Sequence, residues 1–459
     1  SRTRPTRRAT ARASLSRGAR AGYTGRTMNA TTNMTGRERL AATLDHRRPD
    51  RVCVDFGSTA VTGIHVSALT RLREAVLGEK GYRVKVIEPY QMLGEIDDRL
   101  REALGIDVIG VLPRKSLFGT EQKDWKPFRL YDGTEVLVPG QFEVTVDREG
   151  DTLIYPEGDR SAPPSGRMPK GGFFFDTIIR QPPIDDARLD PADNCEEFGL
   201  LGEEDLAYYR QCRDWLDARP GCGAMLTVPG AAFGDIALVP APFLKHPRGI
   251  RDVEEWYVST VLRKDYVREV FERQCRIAEK NIETLIELFG DRIQAAMITG
   301  TDFGTQRGPF ISIEAYRELY KPFHVRVNGL IHAKSNWRTF IHSCGSVYAL
   351  IPEFIEAGFD ILNPVQCSAA DMDARRLKRE FGRDIVFWGG GVNTQQTIAF
   401  GTPEEVYAEV RERIEIFNED GGFVFNSIHN IQANTPTANM LAMFQAVRDS
   451  ARGCPSRAR

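Results

Sequence analysis

The sequence predicts an α/β fold: a (β/α)8 TIM-type barrel carrying a β-rich hairpin insertion. Three observations predict it. From Arg51 onward, short apolar runs alternate with amphipathic helical stretches, the pattern of repeated βα units around a parallel sheet. About eight such units fit in a few hundred residues, which favours a closed barrel over an open doubly wound sheet. The Gly389-Gly390-Gly391 run follows a predicted strand but lacks the spacing of a dinucleotide or phosphate-loop fingerprint, so it reads as a tight backbone turn beside a ligand.

Taken in order, residues 1–33 stand outside the fold. Arginine recurs there at 2, 4, 7, 8, 12, 17, 20 and 26 with no acid, a composition similar to an organelle transit peptide and equally that of an over-extended start; a disordered extension is expected. Residues 34–450 are assigned to the barrel and 451–459 to a disordered tail. Predicted strands are 52–56, 84–88, 108–112, 224–228, 294–299, 338–342, 361–364, 385–388 and 423–426, each rich in Val, Ile, Phe or Ala. Helices are predicted over 67–77, 96–104, 313–331, 347–357, 403–418 and 436–448, several opened by Ser, Thr or Pro. Residues 118–180 break the alternation. Asp132-Gly133 and Glu149-Gly150-Asp151 are turn signals between short alternating runs, so this segment reads as hairpins. The aromatic run Gly171-Gly172-Phe173-Phe174-Phe175 is expected to fill a small core of the insertion in preference to forming a substrate lid.

With 459 residues, 41% hydrophobic and 27% charged, the chain can bury a large core. A formal net charge of -2 provides no basic field for nucleic acid, and no apolar run reaches membrane-spanning length. A cytoplasmic protein without nucleic-acid or membrane partners is expected. Eight scattered cysteines do not form the dense framework of small secreted domains. Cys275 falls inside a helical pattern and is read as core.

Chemistry concentrates at the predicted strand ends. In Ile341-His342-Ser343-Cys344-Gly345 an imidazole and a thiol stand two residues apart at a βα junction. Side chains at i and i+2 of an extended strand share a face, so both can converge on one ion if the chain turns at Gly345. A second histidine, His429, follows the last strand. His342, Cys344 and His429 would form a donor set of two nitrogens and one sulfur with an open fourth position, the arrangement of a catalytic zinc. The competing reading makes each a structural residue, bonded to a carbonyl or simply small and apolar. His324 and His332 fall on a predicted helix, and His46, His65 and His246 lack partners at ligand spacing; surface or supporting positions are expected for all five. Asp302 is the carboxylate expected in the site, as a general acid/base or bonded to a ligating histidine, with helix N-capping as its alternative. Asp55, Glu88, Gln306, Asn363, Gln366, Cys367 and Asn393 are candidates for a substrate-binding wall.

These residues also carry a resemblance. Asp302-Phe303-Gly304-Thr305-Gln306, Ile341 through Val347, Asp360-Ile361-Leu362-Asn363-Pro364-Val365-Gln366, Phe387-Trp388-Gly389-Gly390-Gly391-Val392 and His429-Asn430-Ile431-Gln432 resemble, in order, the uroporphyrinogen decarboxylase superfamily. The resemblance spans about 35 to 448 and implies a barrel with its pocket at the C-terminal strand ends. The decarboxylases carry a Met-Arg-Gln-Ala-Gly-Arg-Tyr motif whose cations hold the substrate's carboxylates, whereas residues 51–65 here read RVCVDFGSTAVTGIH. The chain is therefore more similar to the cobalamin-linked methyltransferase branch, which implies zinc held by a His-x-Cys pair and a later Cys. His342 and Cys344 match the pair, and His429 stands near the place of the later thiolate. Exchanging thiolate for neutral imidazole raises the site's charge and its Lewis acidity, which suits a methyl ether. The resemblance thus implies transfer of a methyl group from a small methylated, methoxylated compound to cobalamin on a partner corrinoid protein. Uroporphyrinogen decarboxylation and a non-catalytic corrinoid- or ligand-binding barrel are the alternatives.

Overall fold

The computed structural model describes residues 34–451; the expectations for 1–33 and for the tail beyond 451 lie outside them. Eight parallel strands form the central sheet: β1 (Cys53–Val54), β2 (Val108–Val111), β3 (Gly223–Thr227), β4 (Ala295–Thr299), β5 (Arg338–His342), β6 (Ile361–Asn363), β7 (Val386–Trp388) and β8 (Phe423–Phe425). From β2 to β8 each pairs with its sequence neighbour, and β1 pairs with β8 in register Cys53 with Val424. That cyclic order is the TIM-type barrel.

The seam between β1 and β2 is joined by one residue. Asp107 donates its backbone N–H to Val54 O at 2.8 Å, and its Oδ2 accepts the Val54 N–H at 2.9 Å. The same carboxylate meets Arg39 and Arg51, each through Oδ1, at 2.5 and 2.7 Å. All three side chains are buried.

Alternate strand residues fill the interior: Cys53, Val108, Met225, Ala295, Phe340, Ile361, Trp388 and Val424 among them. The helix Gly36–Leu44 stoppers the N-terminal end, inserting Leu40 and Leu44 into that cluster. Its first turn is fixed by a capping box, Thr35 accepting from Glu38 N while the Glu38 carboxylate accepts from Thr35 N. With that end filled, the strand C-termini are where a ligand can enter.

Two expectations are corrected. Val86–Glu88 is a strand, but it pairs antiparallel with Leu93–Gly94 outside the barrel. The Glu88 carboxylate accepts the N–H groups of Tyr90 and Gln91, and Met92 adopts φ 54°, so the chain folds back instead of crossing to a parallel neighbour. The single helix expected over 313–331 is three pieces: Ile313–Ala315, a π-helical Tyr316–Tyr320, and Lys321–Lys334. Pro322 lacks an N–H and its ring crowds the carbonyl one turn back, and the widened turn just before it absorbs the conflict, with Lys321 N bonded to Tyr316 O.

Hairpin sheets occupy the insertion. Lys126–Arg129 pairs with Glu135–Val138, and four further short strands between Val144 and Thr177 form an antiparallel sheet. Phe118, Phe142 and Phe175 pack edge to face there and are fully or almost fully buried. They are continuous with the barrel's outer core, so Phe175 serves packing, while Phe174 is exposed. Among the described residues, no helix is long and apolar enough to cross a membrane.

Candidate metal centre at the barrel mouth

β5 ends on His342, which pairs in register with Asn363 of β6. The chain then turns through Ser343-Cys344-Gly345, and each step is held. Ser343 N donates to Asn363 O at 2.7 Å, Cys344 N to Asp302 Oδ1 at 2.6 Å, and Gly345 N to Gln366 Oε1 at 2.8 Å. Gly345 has φ 87°, and a Cβ there would lie 2.5 Å from the Gly304 backbone. Only glycine fits. Gly345→Ala is expected to lower unfolding stability by about 1–3 kcal/mol and to displace Cys344, read as weaker metal binding together with an earlier denaturant midpoint.

β8 leads into Asn426-Ser427-Ile428, where Ile428 N bonds Val392 O and Ser427 Oγ donates to His429 O at 2.6 Å. This turn returns the His429 ring over the mouth, 6.1 Å centroid to centroid from His342. One donor atom each from His342, Cys344 and His429 lie within 4.8 Å of one another. Cys344 Sγ is 3.3 Å from His342 Nε2. In a tetrahedral zinc site, Zn–S and Zn–N bonds of about 2.3 and 2.0 Å place such donors about 3.5 Å apart, so the His342–Cys344 spacing matches an ion, and His429, within 4.8 Å, is in reach of it. Four-coordinate geometry would leave one position for a ligand.

Electrostatics fit as well. Burial lowers the His342 imidazole below its ordinary range, against opposing pulls from Asp302 and Asn363. Burial, then the neighbouring His342, holds His429 down to about 4. Both rings are therefore neutral at pH 7, the ligating form. Burial, then Asp302, pushes the Cys344 thiol well up, so without a metal it keeps its proton. A bound cation would reverse that balance by stabilising the thiolate.

Asp302 stands beside the cluster, its Oδ1 3.9 Å from His342 Nε2, and its backbone carbonyl accepts from Tyr257 Oη. It caps no helix; the next one starts after Ser312, which accepts from Ala315 N. Of the wall candidates, Gln306 is exposed on the rim loop. Asp55 is fully buried and accepts from Ser58 Oγ and Trp388 Nε1 at 2.8 and 3.0 Å; burial raises its carboxyl to about 6. Glu88 is off the barrel, with burial raising it to about 7. Asn363, Gln366 and Asn393 all bond to protein groups, Asn393 by accepting from Gln395 and Gln396 N. Cys367 is half-buried, and burial pushes its thiol up to about 11.

Two expected surface or supporting histidines are corrected to core. His65 caps the helix Val66–Leu77 and bonds Phe173 O at 2.7 Å. His324 is buried among Phe233, Tyr316 and Phe359. Sequence reading missed Asp235, buried in the loop after β3, which accepts from Ala237 and Gly300 N; burial, with the Asp302 charge adding, raises it to about 6. No spacing or periodicity marks it in the sequence.

Residues 249–450 match the family model described as uroporphyrinogen decarboxylase, URO-D. Over that stretch the chain is similar to URO-D proteins. The matched stretch contains β4 to β8, and with them Asp302, His342, Cys344, Asn363 and His429; Asp55 and Glu88 lie before it. The chain is also similar to the solved structure of a methyltransferase from Methanosarcina mazei: 14% identical, TM-score 0.50, covering 91% of this chain and 99% of that one. At that identity the likeness carries the fold. No curated protein matches.

Proposed function

We propose that this chain is a cytoplasmic, zinc-dependent methyltransferase of the URO-D superfamily that moves a methyl group from a small methoxylated compound to cob(I)alamin on a separate corrinoid protein. The observation that carries it is the convergence of His342, Cys344 and His429 at the C-terminal end of the barrel. When bound there, zinc supplies Lewis acidity toward the oxygen that loses its methyl group. The methyl carbon would pass as a cation equivalent, its bond to oxygen breaking with both electrons left on oxygen while the corrinoid, as acceptor substrate, would supply the pair for the new bond. The departing oxygen then takes a proton. Asp302, beside the cluster, would relay that proton from solvent, while its hold on the Cys344 amide keeps the thiol aimed at the cluster.

Charge separates this reading from decarboxylation of uroporphyrinogen, which the family match also favours. Among the described residues, the charged group acting on His342, Cys344 and His429 is the Asp302 carboxylate, and no Lys or Arg acts on them. A substrate bearing many carboxylates needs cations at this place. Incubating zinc-loaded protein with methoxylated compounds and a reduced corrinoid protein is expected to produce methylcobalamin, followed by its absorption spectrum. Metal-free protein that converts uroporphyrinogen would reverse the assignment, and loaded protein inert toward every donor would leave only a binding barrel.

A further inference from the structure

The geometry points to Asn363 as the positioning residue that fixes the tautomer of His342, so that Nε2 meets the cluster as a bare lone pair. The consequence for zinc rests on the proposed function; the tautomer is a property of the chain alone. The side-chain amide of Asn363 has an oxygen end and a nitrogen end, and its two partners decide which is which. One partner is the Trp388 carbonyl at 2.7 Å. A carbonyl only accepts, so Nδ2 must face it. The other end, Oδ1, then lies 2.6 Å from His342 Nδ1 and can only accept. Nδ1 must therefore carry the hydrogen, so whenever the ring holds a single proton it is Nε2 that is bare. Nε2 is the nitrogen 3.3 Å from Cys344 Sγ, where the thiol can donate to it.

Each member of this relay is fixed in turn. Asn363 is fully buried, so its amide cannot turn outward to water or substrate. Its backbone carbonyl accepts from Ser343 N, tying β6 to the turn after β5. Trp388, which offers the accepting carbonyl, is held through its indole N–H by Asp55 across the barrel. The following Gly389 has φ 95°, and a Cβ there would lie 3.1 Å from Asn363 Nδ2. The glycine run thus makes room for the amide. Asn363, expected from the sequence to touch substrate, instead acts through His342.

Two measurements test the assignment. In zinc-free wild-type protein, long-range 1H–15N NMR of labelled histidine should show His342 protonated at Nδ1; protonation at Nε2 would overturn it. By competition with a chelator, Asn363→Leu should weaken zinc binding about 10- to 100-fold, and Asn363→Asp, which still accepts from Nδ1, should recover to within about tenfold of wild type. An Asn363→Leu variant that binds zinc as tightly as wild type would also overturn it. If that variant does not fold, the wild-type spectrum decides alone. If wild-type protein holds no zinc at all, the methyltransferase reading falls, while the NMR result still supports or refutes the role of Asn363.

Discussion

Purified wild-type protein is expected to hold about one zinc per chain, and His342→Ala or Cys344→Ala to reduce that to background with loss of methyl transfer. Elemental analysis after gel filtration measures it. The size of the effect follows from donor count. With two nitrogens and one sulfur within 4.8 Å, removing either residue of the β5 pair leaves two donors, below the three that catalytic zinc sites use. Both variants should keep their circular dichroism, because the turn is also held by Asp302, Gln366 and Asn363 through backbone groups. His429→Cys separates binding from chemistry. A second thiolate should retain zinc at least as firmly but lower its Lewis acidity, so ether cleavage should slow while stoichiometry stays the same. Full activity in His342→Ala protein stripped of metal would remove zinc from the mechanism.

Much of this centre is legible in the sequence because it depends on short-range spacing. His342 and Cys344 are two residues apart at a strand end, and the turn at Gly345 is implied by its type. The approach of His429 is legible only through topology: β5 and β8 are not neighbours, and their ends meet because the barrel closes. What spacing cannot show is which polar side chains are already satisfied. Asn363, Gln366 and Asn393 sit at strand ends like ligand-binding residues, yet each is bonded to a protein group. Asp235 is invisible for the opposite reason, since its loop carries no periodic signal and its burial is purely tertiary. The ninth candidate strand, 84–88, has as good a β composition as the barrel strands. Its exclusion is decided by Glu88 turning the chain at Tyr90 and Gln91, a side-chain-to-backbone bond that hydrophobic pattern does not encode.

Asp107→Ala is expected to be the most destabilising single substitution in the barrel framework, by about 3–5 kcal/mol. The carboxylate takes part in four interactions at once: with Arg39, with Arg51 through both oxygens, and with the backbone N–H of Val54. Its loss strands two buried guanidinium groups, one of which, Arg39, keeps Asp50 as a partner. The Arg51 guanidinium has no second carboxylate among its described bonds and falls back on the carbonyls of Val52 and Gly105. It also opens the seam, because the strand bonds that close other TIM-type neighbours are replaced between β1 and β2 by Asp107 itself. Asp107→Asn should cost less, since an amide oxygen can still accept from Val54, and Arg51→Met less again, since Arg39 remains paired and one buried cation is removed with its partner's surplus charge shared. Urea unfolding should give that order, and amide exchange should show the Val54 N–H losing protection in Asp107→Ala before the β5 and β6 amides do. A loss under about 1 kcal/mol, the range of exposed ion pairs, would mean that the barrel closes without this carboxylate and that its burial is incidental.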